Sequence, residues 1–317
     1  MSNDKKNARK RVGTGIIFFL VVFGLLLASI WVRWLFILLS VFIVIAIDIE
    51  LYRALSKRFK PLYRLPIIII SLSFLSPLIV AFQYRDLEDW YLLKSEDLPL
   101  DATWATNLVW LLAYGTLVFV IFLLCLSVLN IVIRVITKGY QHLPHAVTES
   151  VSASLVATAF VAVVLFTFAI PNGFIWLCLA TICPMIIDVA AYFFGIKFGK
   201  RNILNKLSPN KTLAGFIAGL VAGTVFTGLF FLIFLSGEMP YMSTGKAVLF
   251  GLAAGLILSL SSQFGDWLAS GIKRWTDIKD FGHVLPGHGG ILDRFDSILF
   301  SLPSTLIIAF LYFLIKR

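Results

Sequence analysis

An all-α, polytopic membrane bundle is the fold class this sequence predicts, on three observations. The 317 residues are 59% hydrophobic and 14% charged, with a mean hydropathy of +0.93, beyond what a soluble core of this length needs. Apolar runs reach or approach the ~20 residues that cross ~30 Å of hydrocarbon, and their even spacing excludes one signal peptide followed by a soluble domain. Lysine and arginine are also sorted between alternate connecting segments, as the positive-inside rule requires.

The hydropathy pattern predicts nine spans, at residues 14–31, 33–49, 65–82, 105–130, 150–170, 173–196, 213–235, 247–265 and 295–315. The first two become one, and the total eight, if the short stretch Ser29 to Arg33 does not turn. With the N-terminus inside, 21 of the 27 lysines and arginines fall on inner segments, and only the terminal Lys316 and Arg317 run against the bias. The loop from Tyr84 to Thr103, with six acids against two bases, then lies outside. Residues 1–135 form N-terminal spanning helices and residues 136–317 a region richer in polar motifs, within one continuous membrane domain.

Several functional classes lose ground at once. The formal charge of +10 has no basic stripe interleaved with aromatics outside the apolar segments, so nucleic acid is not an expected partner. Cys125, Cys178 and Cys183 lie within apolar runs without CxxC spacing and predict packing. His142, His145, His283 and His288 lack the further cysteines or histidines a zinc site requires.

Three inner-facing regions carry polar side chains suited to chemistry. In Asp188 to Lys200, steps of three and four residues put Asp188, Tyr192 and small residues on one helical face. A carboxylate at membrane depth is costly unless paired or hydrated, which makes Asp188 a functional candidate, and Pro184 one turn earlier is placed to open the backbone beside it. In SPNKT, Ser208 and Pro209 predict a helix N-terminus, with Lys211 and Thr212 supplying a cation and a hydroxyl where a phosphate could meet free N–H groups.

The third region runs from Gln263 to Ser297. Asp266, Ser270 and Lys273 or Arg274 follow helical spacing, so acid, hydroxyl and cation share one face. Asp293 and Asp296 are three apart at the start of the last span, close enough in sequence to reach one ion, with Arg294 between them. The intervening Pro286, Gly287, His288, Gly289 and Gly290 predict a tight turn whose N–H groups can approach an anion. Carboxylates among Lys273, Arg274, Lys279 and Arg294 suit Mg²⁺ bound to a polyphosphate.

From Ser270 to Asp296 the chain resembles the phosphatidate cytidylyltransferases, or CDP-diacylglycerol synthases. The family pattern of Ser, any residue, an apolar residue, Lys-Arg, four residues, Lys-Asp, a Pro-x-His-Gly-Gly turn and Asp-Arg-apolar-Asp is matched without a gap. DxxAYxxGxxFGK at Asp188 to Lys200 and SPxKT at Ser208 to Thr212 match two weaker features in the same order. Ala214 stands where many members have Glu.

The resemblance implies transfer of the cytidylyl group of CTP to phosphatidic acid, with Mg²⁺ and a bilayer as partners. A second cation and a homodimer stay open. It implies catalytic roles for Asp266, Lys273, Arg274, Asp293, Arg294 and Asp296, with Asp266, Asp293 and Asp296 on the metal. Substrate contacts are expected from Asp188, Tyr192, Ser208, Lys211, Thr212, Lys279, Asp280, Gly287, His288, Gly289 and Gly290. The expected location is a bacterial-type plasma membrane, with the N-terminus and active site cytoplasmic. Two rivals share some of these features. A CTP-dependent lipid kinase would use similar phosphate chemistry, and an ion-coupled transporter would also carry Asp188 in a span.

Overall fold

The computed structural model describes residues 24, 27–28, 32–83, 102–170, 172–204, 208–235, 244–284 and 289–315. Its elements are α1 (Arg33–Leu55), α2 (Arg64–Ser71), α3 (Leu78–Gln83), α4 (Ala102–Lys138), α5 (Leu143–Phe168), α6 (Gly173–Phe198), a hairpin of β1 (Asn202–Leu204) and β2 (Ser208–Thr212), α7 (Leu213–Phe230), α8 (Thr244–Trp275), α9 (Leu292–Phe295) and α10 (Ile298–Ile315). Among the described residues, eight stretches are long and apolar enough to cross a membrane, from Trp34–Leu55 to Leu292–Leu314. They correspond to the last eight expected spans. The expected span at 14–31 lies largely outside the described residues. This is an integral membrane protein, and helices dominate because a segment in hydrocarbon must satisfy its own backbone hydrogen bonds.

The chain separates into two compact units, and residue 135 lies within a segment of the first. The first comprises Met1–Val80, Tyr114–Val164 and Ile272–Phe295, and the second Ala81–Ala113, Leu165–Gly271 and Asp296–Arg317. Each therefore draws on sequence from both sides of that position.

In the first unit Ile67 and Ile70 of α2 pack with Ala153 of α5, and Tyr52, Leu123 and Leu126 close over them. Polar side chains cross-link these helices. Arg134 of α4 and Glu149 of α5, 3% and 0% exposed, pair at 3.2 Å. Arg134 also donates to the Pro61 carbonyl and lies 3.8 Å over the Tyr63 ring, while the Tyr63 N–H donates to Glu149 at 2.6 Å. A buried ion pair of this kind survives only where further hydrogen bonds offset its desolvation.

In the second unit glycines let the helices pack closely. A Cβ on Gly215 of α7 would lie 2.6 Å from the Ala191 carbonyl of α6, and one on Gly223 would lie 2.2 Å from Ser259 Oγ of α8. Trp176, Phe231 and Tyr312 form a buried aromatic cluster with centroids 5.4–5.8 Å apart, and Tyr312 donates its hydroxyl to the Leu235 carbonyl at 3.2 Å.

One local expectation is refined here and one changes. α6 continues through Pro184 without breaking. Proline at 184 cannot donate to the carbonyl four residues earlier, at Ala180, and Ser301 Oγ of α10 donates to that carbonyl instead, at 2.7 Å. Ser208 and Pro209 do not begin a helix. They belong to β2, which pairs antiparallel with β1, and the cap of α7 is Thr212, whose Oγ1 accepts from the Gly215 N–H at 3.2 Å.

Candidate active site

The site residues of the first unit converge on Asp293. It sits in the single turn of α9, between the loop that follows α8 and the kink before α10. Its Oδ1 lies 2.8 Å from Lys273 Nζ, and its Oδ2 accepts from the Phe281 N–H at 2.8 Å and the Gly290 N–H at 2.9 Å. The Asp293 side chain is 5% exposed and that of Lys273 16%. Gly289 has φ +81°, and a Cβ there would stand 2.8 Å from Asp293 Oδ2, so glycine is required twice over. The Gly290 N–H, expected to face a phosphate, is occupied by Asp293.

Sequence reasoning missed the neighbouring carboxylate. Glu50 of α1, 2% exposed, accepts from the Ile291 N–H at 3.0 Å and the Leu292 N–H at 2.8 Å. An acid inside an apolar span was the available signal. Asp48, also buried, accepts from Ser71 Oγ at 3.0 Å. Arg274, Lys279, Asp280 and Arg294 are exposed around the loop, whereas Gly287 and His288 lie outside the described residues.

In the second unit the structure brings SPNKT to the Asp188–Lys200 motif. A Cβ on Gly199 would lie 2.5 Å from Thr212 Cγ2, and Leu213 donates its N–H to the Arg201 carbonyl at 2.8 Å. Lys211 at the end of β2 thereby reaches Asp266 of α8, with Nζ 2.5 Å from Oδ2. This is a close ionic contact off the hydrogen-bonding direction, with Nζ itself shielded from water. The side chains remain 23% and 30% exposed. The Ser208 side chain is outside the described set, and Asp188 and Tyr192 are exposed on α6.

Asp296 lies in the two-residue break between α9 and α10, so it and Asp293 do not share a continuous helical turn as expected. Its Oδ1 accepts from the Ser297 N–H at 2.7 Å. Gly265, which precedes Asp266, packs so closely that a Cβ would lie 2.6 Å from the Asp296 carbonyl. Among the described residues no three His, Cys, Asp or Glu side chains gather as a ready-made metal cage. The same unit has a cavity of about 350 Å³ lined by Phe216, Leu260, Ser261, Gln263, Phe264, Trp267 and Phe300.

The sequence pattern of the cytidylyltransferase family matches residues 9–313, nearly the whole chain. The chain belongs to that family. The phosphatidate cytidylyltransferase of Bacillus subtilis strain 168 is 44% identical over 128 residues, covering 40% of this chain and 42% of that protein. Those of Staphylococcus aureus strain COL and Staphylococcus haemolyticus strain JCSC1435 are 42% identical over 132 residues and 40% over 134, each covering 42% of this chain and 48% of the relative. The matched stretch thus spans under half the length of each relative.

Proposed function

We propose that this protein transfers the cytidylyl group of CTP to phosphatidic acid, yielding CDP-diacylglycerol and pyrophosphate. The observation that carries the reading is that a chain matching the cytidylyltransferase family pattern over residues 9–313 sets Lys273 and Asp293 of the Ser270–Asp296 motif 2.8 Å apart, among the backbone N–H groups of its glycine-rich loop. A phosphate oxygen of phosphatidic acid attacks the α-phosphorus of CTP as the bond from that phosphorus to the β-phosphate bridging oxygen breaks. The nucleophile is already anionic, so no strong base is required. The barrier lies in bringing two anions into line and in the charge leaving on pyrophosphate, which is a task of positioning and electrostatics.

Lys211, Arg274 and Arg294 suit contact with phosphates, and Lys273 holds Asp293 in place. Mg²⁺ would be held by Asp266, Asp293 or Asp296 together with substrate oxygens, and would supply neutralisation of polyphosphate charge. The donor set fits, since Mg²⁺ in nucleotide sites commonly takes one or two carboxylates and completes its shell with phosphate and water. The cavity of the second unit would lodge apolar parts of the lipid. The distribution of lysine and arginine supports a cytoplasmic N-terminus and nucleotide face.

The test is product analysis with CTP labelled in its cytidine, phosphatidic acid and Mg²⁺. Label entering lipid together with pyrophosphate release is the expected result. Label confined to CDP would indicate a lipid kinase, and transmembrane flux without turnover a carrier.

A further inference from the structure

The loop between α8 and α9 closes around a carboxylate that belongs to another part of the chain. Glu50 accepts from two consecutive backbone N–H groups, those of Ile291 and Leu292, while the preceding N–H, of Gly290, goes to Asp293. Three successive amides are therefore fixed by two carboxylates. The two amides donate to different oxygens of the one buried carboxyl group, so this grip sets the loop's direction. The glycines confirm how tightly it fits. A Cβ on Gly282 would lie 2.3 Å from Glu50 Oε1, and one on Gly290 2.3 Å from Oε2.

We propose that Glu50 is a positioning residue for the Lys273–Asp293 pair. It orients residues 289–292 so that Asp293, one residue further on, faces Lys273 and the Phe281 N–H. The glycines at 282 and 290 serve as the faces on which its carboxylate rests. Glu50 touches no reacting atom in this role. The kinetic part of the proposal rests on the cytidylyl-transfer reading, whereas the structural part does not.

The test compares purified wild type with Glu50→Gln and Glu50→Asp. Glu50→Gln turns an amide N–H toward one of the two backbone donors while keeping the side chain's size. Hydrogen exchange at 289–292 should accelerate by roughly tenfold, with amides of α5 still protected as in wild type. Under lipid-transfer conditions kcat should fall by about tenfold or more while KM for CTP changes by less than about twofold. Glu50→Asp should recover part of both. Unchanged exchange at 289–292, equal loosening throughout α1 and α5, or wild-type kcat would overturn the proposal. A wild type that shows local protection but no cytidylyl transfer would instead remove the functional reading and leave the exchange result to judge Glu50.

The contact can also be tested without Glu50→Gln. Gly290→Ala should lower the thermal midpoint of wild type more than that of the Glu50→Asp variant, whose shorter side chain leaves room. Equal losses in both backgrounds would contradict the packing of Glu50 on Gly290.

Discussion

Asp293 in the first unit and Asp266 in the second each meet a lysine, yet Asp293 is 5% exposed and Asp266 30%. Asp293 also takes two backbone N–H groups and borders a loop held by Glu50, while the Lys211–Asp266 contact lacks hydrogen-bond alignment. The difference teaches that one chemical pair can serve two ends. In the first unit it is a fixed element of the fold. In the second the carboxylate is the more open partner, 30% exposed against 23% for Lys211, so under the proposed function a nucleotide phosphate would have to displace Asp266 to reach the shielded Nζ.

The strongest way to break the contrast is to loosen the first unit itself. Arg134→Met leaves Glu149 buried at 0% exposure without its cation and should cost about 3–5 kcal/mol, read as a large fall in thermal midpoint. A variant as stable as wild type would show that the cross-links of the first unit do not hold it. Next in size is Asp293→Asn, which should lower turnover on the order of a hundredfold, about 2.7 kcal/mol, in protein that still elutes as folded. Near wild-type turnover would remove Asp293 from the chemistry. The smallest expected effect is in the second unit, where Thr212→Ala removes the cap of α7 and should cost about 1 kcal/mol in thermal unfolding. No change would mean that the contacts of Gly199 and Arg201 alone fix the start of that helix.

The spans were legible because hydropathy is a local property, and eight of them coincide with expected positions. The Ser270–Asp296 motif was legible because its chemistry is contiguous. What escaped depends on distant partners. Glu50 meets Ile291 across 241 positions, and no spacing rule joins an acid in an early span to a late glycine loop. Ser208 looked like a cap because a Ser-Pro pair has that local signature, but pairing with Asn202–Leu204 drew it into a strand and moved the cap to Thr212. Pro184 was legible as a place where the backbone opens, but the donor that takes up the freed Ala180 carbonyl, Ser301, comes from another helix. The convergence of Lys211 on Asp266 likewise needed the fold, although both residues had been singled out.

The most direct measurement is equilibrium binding of CTP with Mg²⁺, without lipid, to folded Lys211→Met and Lys273→Met. Lys211, the cation of the open pair, should contribute to nucleotide affinity, so its loss is expected to weaken binding by roughly tenfold, or about 1.4 kcal/mol. Loss of Lys273, committed to Asp293, should change affinity by less than about threefold. Equal weakening in the two variants, or a larger loss for Lys273→Met, would contradict the division between a fixed and an exchangeable pair.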